Sequence, residues 1–398
     1  MRYLHNNGNQ VVEWKDVGPE SFPNTPQNMG YSQEIRDFFQ TLRNGSTELM
    51  IIFGSGASLD WNKGHEGPFA PSTTDLWDLA EKTIGLEIEE LCEKTGVSKA
   101  EKDIEKLLSQ IDHILAVERG ASKEKLKFQV IKIENAVRNA CDFLKNNQAP
   151  VAHIKLFEWI TEVPRSNKYP RIYTTNYDLC LENAASLVGY SVIDGFSFGP
   201  QRRFAERYLH YGFNSSGSIG NEPNMAAAHP IVGIFKLHGS VNWIRVLDRT
   251  IIARNMDDLN ISRSTGIGDP VFGIIAPRSQ KIEKETSPYF ELNKRFVLDI
   301  NQFKGTLFII GFGFRDNDLT QVIQNSIFTD NGRIQNIVIV SPSLEERKDS
   351  IGLKFLDAAK HNDQRIWLFS ATFEEFSKLL GTFRNPLTRD ALGWPVDW

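Results

Sequence analysis

The sequence has 398 residues, of which 40% are hydrophobic and 24% are charged. This composition excludes a disordered chain, a collagen-like chain and a coiled coil, and the length indicates one large domain with insertions, or two domains. The net charge of -5 gives no sign of nucleic-acid binding by the chain as a whole.

The pattern of the first third of the chain predicts an arm, a helix and a strand, followed by a helical insertion. Residues 1–30 are polar and rich in Asn, Pro and Gly, which is typical of an N-terminal arm. A helix is predicted over residues 31–45, and an apolar strand over 48–53. Residues 76–164 then carry apolar side chains at helical spacing, so we predict an insertion of several amphipathic helices with solvated charged faces.

Beyond this insertion, short apolar runs alternate with helical stretches. Strands this apolar indicate a parallel sheet that is covered on both faces. We therefore predict an α/β fold with a Rossmann-like, doubly wound, mostly parallel sheet of about six strands. The domain is discontinuous, with residues 31–75 and 165–385 on either side of the insertion and a tail at 386–398.

Two long polar segments, 199–230 and 246–290, interrupt this α/β pattern. Loops of this length in a compact domain are often functional. The first segment lies between two of the candidate motifs described below, so it is either a lid over a site or a surface loop without contact to one.

A small-residue turn follows the first predicted strand directly. Glycines allow the backbone to approach a phosphate closely, and N–H groups at such a turn bind one. A tight turn between a strand and a helix explains the same residues without a ligand, so both interpretations stay open. The candidate phosphate-binding residues are Gly54, Ser55, Gly56, Ala57 and Ser58.

Two further motifs end predicted strands, where open α/β sheets bind their ligands. Thr175, Asn176 and Asp178 form the first, in which the Asn176 amide suits a ribose or a water molecule. Capping of the next helix is the alternative role. His238 lies at a later strand end beside Gly239, and its imidazole suits proton transfer near neutral pH, although a lone histidine is usually structural.

A second glycine-rich turn, at residues 311–313, follows another apolar strand. Gly311 begins it, and Asp318 either binds a ribose hydroxyl or caps the next helix. Ser341 ends the following strand and is a candidate contact for the adenosine half of a dinucleotide. No cysteine or histidine spacing matches a metal site, so we expect no metal.

The four motifs occur in a recognisable order, each after an apolar run. The order is Gly-Ser-Gly-Ala-Ser, Thr-Thr-Asn-Tyr-Asp, Lys-Leu-His-Gly-Ser-Val-Asn-Trp and Gly-Phe-Gly-Phe-Arg-Asp-Asn-Asp. It resembles the sirtuin-like NAD-binding domain, and in particular the bacterial sirtuin-like branch of antiphage defence systems, whose members hydrolyse NAD+. The resemblance spans roughly residues 31–380.

The resemblance assigns roles to residues that match the motifs. It implies that the first turn binds phosphate and that Asn176, the essential residue of such sites, lies with Asp178 beside the nicotinamide ribose. It also implies that His238 is catalytic and that Gly311 and Asp318 lie near the adenosine ribose.

The chain departs from the protein-deacetylating sirtuins in two ways. It has no four-cysteine zinc module, and the Gly-Ile-Pro-Asp-Phe-Arg-like stretch after the first glycine motif is missing. The resemblance therefore implies an NAD+ glycohydrolase, with NAD+ as substrate, that releases nicotinamide and ADP-ribose. The alternatives are a zinc-less protein deacylase or ADP-ribosyltransferase, and a non-catalytic module that binds NAD or ADP-ribose.

An enzyme that destroys cellular NAD+ needs external control, so the resemblance implies a toxic antiviral effector regulated by assembly or by a partner. Chains of this size in the family pair with a HerA-type hexameric ATPase or with a short Argonaute, and the first fits better because no Argonaute-associated region is fused. We also expect a homo-oligomer that uses the insertion or the terminal arms. The chain lacks a signal peptide and a membrane span, so we expect it to be cytoplasmic, without direct nucleic-acid binding.

Overall fold

A computed structural model of the chain describes most of the predicted elements. It describes residues 1–8, 12–17, 31–45, 48–59, 69–144, 149–163, 168–199, 202–210, 230–245, 251–253, 287–329, 333–342, 344–346, 350–361 and 363–383. The strands are β1 (Arg2–His5), β2 (Lys15–Asp16), β3 (Leu49–Phe53), β4 (Arg171–Thr174), β5 (Ser191–Ile193), β6 (Arg202–Arg203), β7 (Ile231–Lys236), β8 (Trp243–Arg245), β9 (Ile251–Ala253), β10 (Thr306–Ile310), β11 (Asn336–Ser341) and β12 (Ile366–Ser370).

The helices cover both the predicted helical insertion and the α/β part of the chain. They are α1 (Gln33–Asn44), α2 (Thr73–Ile84), α3 (Glu87–Thr95), α4 (Ile104–Val117), α5 (Gly120–Cys141), α6 (Val151–Glu162), α7 (Cys180–Leu187), α8 (Tyr289–Gln302), α9 (Asn317–Phe328), α10 (Ser350–Lys360) and α11 (Phe373–Thr382). The predicted first helix is confirmed: the Ser32 side chain caps its start and Gly45 ends it.

The central sheet has nine strands in the order β2-β1-β12-β11-β10-β3-β4-β7-β5. The seven strands from β12 to β5 are parallel, and β1 and β2 run antiparallel at one edge. The run β7-β4-β3-β10-β11-β12 has the strand order of a Rossmann sheet, with the switch of direction between β3 and β10. The predicted fold class is confirmed, with more strands than the six expected.

Alternate strand residues face two separate apolar cores, which makes the sheet doubly wound. Ile51 and Phe53 of β3 face the core that contains side chains of α1, α6, α7 and α11. Met50 and Ile52 face the opposite core, which contains side chains of α8, α9 and α10. Burial on both faces explains why these strands are continuous apolar runs.

The beginning of the predicted N-terminal arm lies in the sheet. Residues Arg2–His5 pair antiparallel with β12. Tyr3 and Leu4 are 1% and 0% exposed and belong to opposite cores. The sequence analysis missed this strand because the residues around it are polar. A strand this short buries only a few side chains, so its apolar pattern is brief. Residues 18–30 lie outside the described part of the chain, as does the predicted tail.

The predicted insertion packs in two places. Helices α2 to α5 share a core of their own, which contains Trp77, Leu107 and Ile133. Helix α6 contributes Phe157 and Trp159 to a core beneath the central sheet instead. Only the first four helices therefore form a separate layer.

Two other predicted segments are described only in part. In the polar segment 199–230, residues 211–229, which include most of the suggested lid, lie outside the described residues. In 246–290, β9 pairs antiparallel with β8, and residues 254–286 lie outside. Across the described ranges, no helix has both the length and the apolarity needed to span a bilayer.

Candidate active site

The register of the sheet aligns the four sequence motifs at one edge. Phe53 of β3 pairs with Thr174 of β4 and with Ile310 of β10, and Thr174 pairs with Lys236 of β7. All four strands are parallel, so the residues that follow them emerge side by side at their carboxyl ends. This edge, next to the switch of direction between β3 and β10, is where such sheets bind nucleotides.

The two glycine turns lock into each other, backbone against backbone. The N–H of Gly56 donates to the carbonyl of Gly311 at 2.9 Å. Gly311 has a φ of +61°, and a Cβ added there would lie 2.2 Å from the Ala57 nitrogen. A Cβ on Gly54 would lie 2.6 Å from the Gly311 oxygen. The turns therefore need glycine for their mutual packing, whether or not a ligand binds.

This packing changes the expectation for the first turn. The N–H groups of Gly54, Gly56, Ala57 and Ser58 all donate to protein carbonyls, two of them within the 3-10 turn Ser55–Ala57. They are committed to the fold, so a phosphate at this turn would need other donors. Ser55 is exposed on the turn, whereas the Ser58 side chain points towards the next motif.

The Ser58 hydroxyl links the first turn to the second motif. It donates to Asp178 Oδ2 at 2.9 Å and accepts a hydrogen bond from Asn176 Nδ2 at 3.2 Å. Asp178 Oδ1 in turn accepts from the N–H of Cys180 at the start of α7. Asp178 therefore supports the loop and accepts from the first N–H of α7, while the N-cap residue of that helix is Leu179.

Hydrogen bonds fix the backbone and the side-chain nitrogen of Asn176, but its side-chain oxygen has no partner among the described residues. Its backbone N–H donates to Thr174 Oγ1 at 3.0 Å, and its side-chain nitrogen is used by Ser58. Its side-chain oxygen is buried and has no hydrogen-bond partner among the described residues. Leaving a buried acceptor unpaired costs about 1–3 kcal/mol, so this atom is suited to accept a hydrogen bond from a ligand.

A buried lysine, which the sequence analysis did not identify, donates hydrogen bonds to the backbone of the same loop. Lys236 is 3% exposed and its ammonium donates to the carbonyls of Tyr177 and Asp178. It also lies 3.2 Å from Glu182 Oε1. Burial raises the pKa of Glu182, while the nearby Lys236 charge acts in the opposite direction. A lysine in a strand otherwise made of buried apolar residues was the signal in the sequence.

His238 is paired with a carboxylate that the sequence analysis also missed. The ring is buried, and its Nε2 lies 3.2 Å from Asp316 Oδ2. Asp316 comes from the loop after β10, and β10 and β7 are separated in the sheet by β3 and β4. Asp316 also caps α9, since its Oδ1 accepts from the N–H of Leu319 at 3.0 Å.

The remaining candidate residues lie at or just beyond the ends of their strands. Thr175 donates its N–H to the carbonyl of Phe53 and joins β4 to β3. Asp318 is exposed in the first turn of α9. Ser341 ends β11, and its hydroxyl donates to the carbonyl of Pro342 at 3.3 Å. Within the described ranges, no cluster of three potential metal-ligating side chains occurs.

The helical insertion contacts both loops that carry Asn176 and His238. Tyr177 packs into the core of α2 to α5, and its hydroxyl donates to Glu105 of α4 at 2.5 Å. Val241, which follows His238 closely, is buried in the same core. Arg138 of α5 donates to the carbonyl of Trp243 at 3.4 Å. The insertion therefore forms a supporting wall behind Asn176 and His238.

A comparison with known families agrees with this geometry. Residues 170–362 match the family model of the SIR2-like domain. This part of the chain is similar to a SIR2-like domain. SIR2-like domains use NAD+, and their family is one of NAD-dependent enzymes. The matched range contains Asn176, His238, Gly311 and Asp316, while the Gly54 turn precedes it in sequence and joins it through the sheet.

The resemblance predicted from the motifs is thus confirmed at the level of the domain. No curated protein matches the chain.

Proposed function

We propose that the protein is an NAD+ glycohydrolase, which converts NAD+ and water to nicotinamide and ADP-ribose. The observation that carries this proposal is the buried side-chain oxygen of Asn176, for which the described part of the chain offers no hydrogen-bond partner. It lies at the end of β4, and His238, which contacts Asp316 from the loop after β10, lies at the end of the adjacent strand β7.

The reaction suits this small set of groups. The bond between C1′ of the ribose and the nicotinamide nitrogen breaks, and its electron pair neutralises the cationic ring, so the leaving group needs no proton. The oxygen of a water molecule forms the new bond to C1′, and the proton that this water loses passes to His238. The Asn176 oxygen accepts a hydrogen bond from a ribose hydroxyl or from the water, and so orients it.

The role of Asp178 favours this chemistry over that of an ordinary glycosidase. A glycosidase uses two carboxyl groups, one as acid and one as base or nucleophile. Here the Asp178 carboxylate already accepts from Ser58 and from the start of α7. It is therefore a support for Asn176 and not a second catalytic carboxylate.

A purified-enzyme assay tests the proposal. The full-length chain is incubated with NAD+, with and without an acetylated peptide, and the products are separated by chromatography. We expect nicotinamide and free ADP-ribose in both reactions, unchanged by a metal chelator. Acetyl-ADP-ribose or ADP-ribosylated protein would show a transferase instead, and NAD+ binding without turnover would show a binding module.

We propose further that this activity serves antiviral defence by depleting NAD+, under the control of assembly. The support is the resemblance of the motifs to defence-associated sirtuin-like proteins. Exposed apolar side chains on the insertion, such as Leu86, Val117 and Phe128, favour self-association or a partner such as a HerA-type ATPase. Measuring NAD+ in infected cells that express the wild-type chain or Asn176→Ala, with and without the ATPase, tests this role.

A further inference from the structure

Tyr177 lies between the two residues of its loop that bond to Ser58. Asn176 donates its side-chain nitrogen to the Ser58 hydroxyl at 3.2 Å, and Asp178 accepts from that hydroxyl at 2.9 Å. The Tyr177 ring is instead buried, with 8% exposed, in the core that α2 to α5 share. The loop is therefore held by two separate parts of the molecule, the first glycine turn and the helical insertion.

The Tyr177 hydroxyl reaches the start of an insertion helix. It donates to Glu105 Oε1 at 2.5 Å, and Glu105 lies in the first turn of α4. A hydrogen bond to a carboxylate is shorter and about twice as strong as one between neutral groups. This contact therefore ties the position of the loop to the position of α4.

The Tyr177 carbonyl joins its loop to the one that carries His238. It accepts from the N–H of Val241 at 3.0 Å, from the Lys236 ammonium at 3.2 Å and from the Ser240 hydroxyl at 3.4 Å. These three donors lie on both sides of His238 in the chain. Val241 is also buried in the core of α2 to α5, so the insertion contacts both loops at the point where they meet.

We propose that Tyr177 is a positioning residue: through its hydrogen bond to Glu105, the helical insertion holds Asn176 and His238 in the geometry that turnover needs. The contacts stand on the structure, while their effect on turnover rests on the proposed hydrolysis. A displacement of about 1 Å in a reacting group can cost about 10²-fold in rate, so a contact outside the reacting atoms is sufficient to control turnover.

Variants of the Tyr177–Glu105 pair isolate this one hydrogen bond. Tyr177→Phe keeps the ring and removes the hydroxyl, and Glu105→Ala removes the acceptor. We expect each to lower kcat for NAD+ hydrolysis about 10-fold, and the double variant to lower it no further, because both remove the same contact. Glu105→Gln loses the charge at the helix start, as Glu105→Ala does, but keeps an acceptor oxygen. It should therefore retain kcat within about threefold of the wild type.

Tyr173 supplies a matched control. Its hydroxyl donates to Asp299 Oδ2 at 2.6 Å, and its ring packs in the core of α8 to α10. Tyr173→Phe removes the same kind of hydrogen bond without touching the insertion, so it should leave kcat at the wild-type value. Wild-type kcat in Tyr177→Phe would overturn the proposal, as would equal losses of kcat in Glu105→Gln and Glu105→Ala, or in Tyr173→Phe and Tyr177→Phe.

Amide hydrogen exchange in the full chain tests the contact without turnover. The N–H of Asn176 donates to Thr174 Oγ1, and that of Val241 donates to the Tyr177 carbonyl. Both should exchange at least about threefold faster in Tyr177→Phe than in the wild type, and at the wild-type rate in Tyr173→Phe. Unchanged exchange in Tyr177→Phe would show that the hydroxyl does not hold the loops. A wild type that binds NAD+ without releasing nicotinamide would instead contradict the proposed hydrolysis, and the exchange rates would still test the contact.

Discussion

The carboxyl edge of the sheet has two halves that are built differently. At the ends of β3 and β10, the turns that begin at Gly54 and Gly311 pack backbone to backbone, and most of their N–H groups serve the fold. At the ends of β4 and β7, polar side chains converge, and the Asn176 oxygen is left without a partner in the described structure.

The two halves differ in what their residues do: the glycines allow close backbone packing, and the polar side chains supply groups that suit chemistry. In the glycine half, Gly54, Gly56 and Gly311 tolerate no added Cβ because neighbouring backbone atoms occupy that space. The polar half is held by hydrogen bonds between side chains and from side chains to the backbone. Substitutions in the first half should therefore act on stability, and substitutions at Asn176 or His238 should act on turnover.

The largest expected effect is on catalysis, in Asn176→Ala and His238→Ala. Each should lower NAD+ hydrolysis by about 10²–10⁴-fold, because general base catalysis and the orientation of the reacting groups are lost. Asn176→Ala should cost only about 1 kcal/mol of stability, since it loses the hydrogen bond from its side-chain nitrogen to Ser58 while its oxygen has no partner among the described residues. Product release and urea unfolding measure the two effects.

The control for His238 is a surface pair of the same chemistry. His361 lies 2.9 Å from Asp357 on α10 and is exposed. His361→Ala should leave turnover at the wild-type rate. Near-normal hydrolysis by Asn176→Ala or His238→Ala would contradict the assignment of the polar half as the catalytic one.

Next in size is Lys236→Met, which should affect both stability and turnover. Removing the ammonium leaves Glu182 without its cation and the carbonyls of Tyr177 and Asp178 without a donor. We expect a loss of about 3 kcal/mol in unfolding free energy. Adding Glu182→Gln should recover part of the stability, because the buried carboxylate is gone, but not the turnover. Recovery of full activity in the double variant would show that Lys236 does not position the loop.

In the glycine half, Gly311→Ala should cost about 2–3 kcal/mol of stability, since it combines a positive φ with a clash against Ala57. Gly189→Ala separates the two causes, because its φ is +79° with nothing near the added Cβ. Gly313→Ala, whose Cβ would meet only the Arg315 side chain at 3.8 Å, should be close to neutral. Equal unfolding midpoints for all three variants would mean that the turns do not interlock.

The smallest effect concerns the stability of the fold at acid pH. It depends on His153, which lies outside the proposed catalytic residues. Burial lowers the pKa of His153 to about 4, against about 6.5 in the unfolded chain. Its neutral form is favoured in the fold, so this contribution is complete above pH 6.5 and is lost as the pH falls towards 4. The stability lost from this source at pH 5 is about 2 kcal/mol.

His153→Phe removes this sensitivity. The ring packs against Phe53 and Phe373, so an aromatic replacement suits the site. We expect the difference in unfolding free energy between pH 7 and pH 5 to be smaller in the variant by about 2 kcal/mol. An unchanged difference would mean that other groups govern acid unfolding.

Much of the candidate site was predictable because apolar runs in the sequence indicate buried strands and show where they end. Asn176 and His238 each follow an apolar run, and parallel strands bring their carboxyl ends to one edge, so their proximity follows from the fold class. The sequence left the first glycine turn open between phosphate binding and a tight turn. Only the contact with Gly311 shows how the fold uses it.

Other features depend on contacts between residues far apart in the chain. The sequence analysis chose Asp318 after the second glycine turn, whereas the structure places Asp316 against His238. It assigned residues 1–30 to an arm, but Arg2–His5 pair with β12 near the other end of the described chain. The amino-acid sequence by itself determined the class of sheet and the candidate residues at its strand ends, because both leave a local pattern of apolar runs and turns. The tertiary structure decided which carboxylate lies against the histidine and which segment pairs with the edge of the sheet, because neither pairing has a local signature.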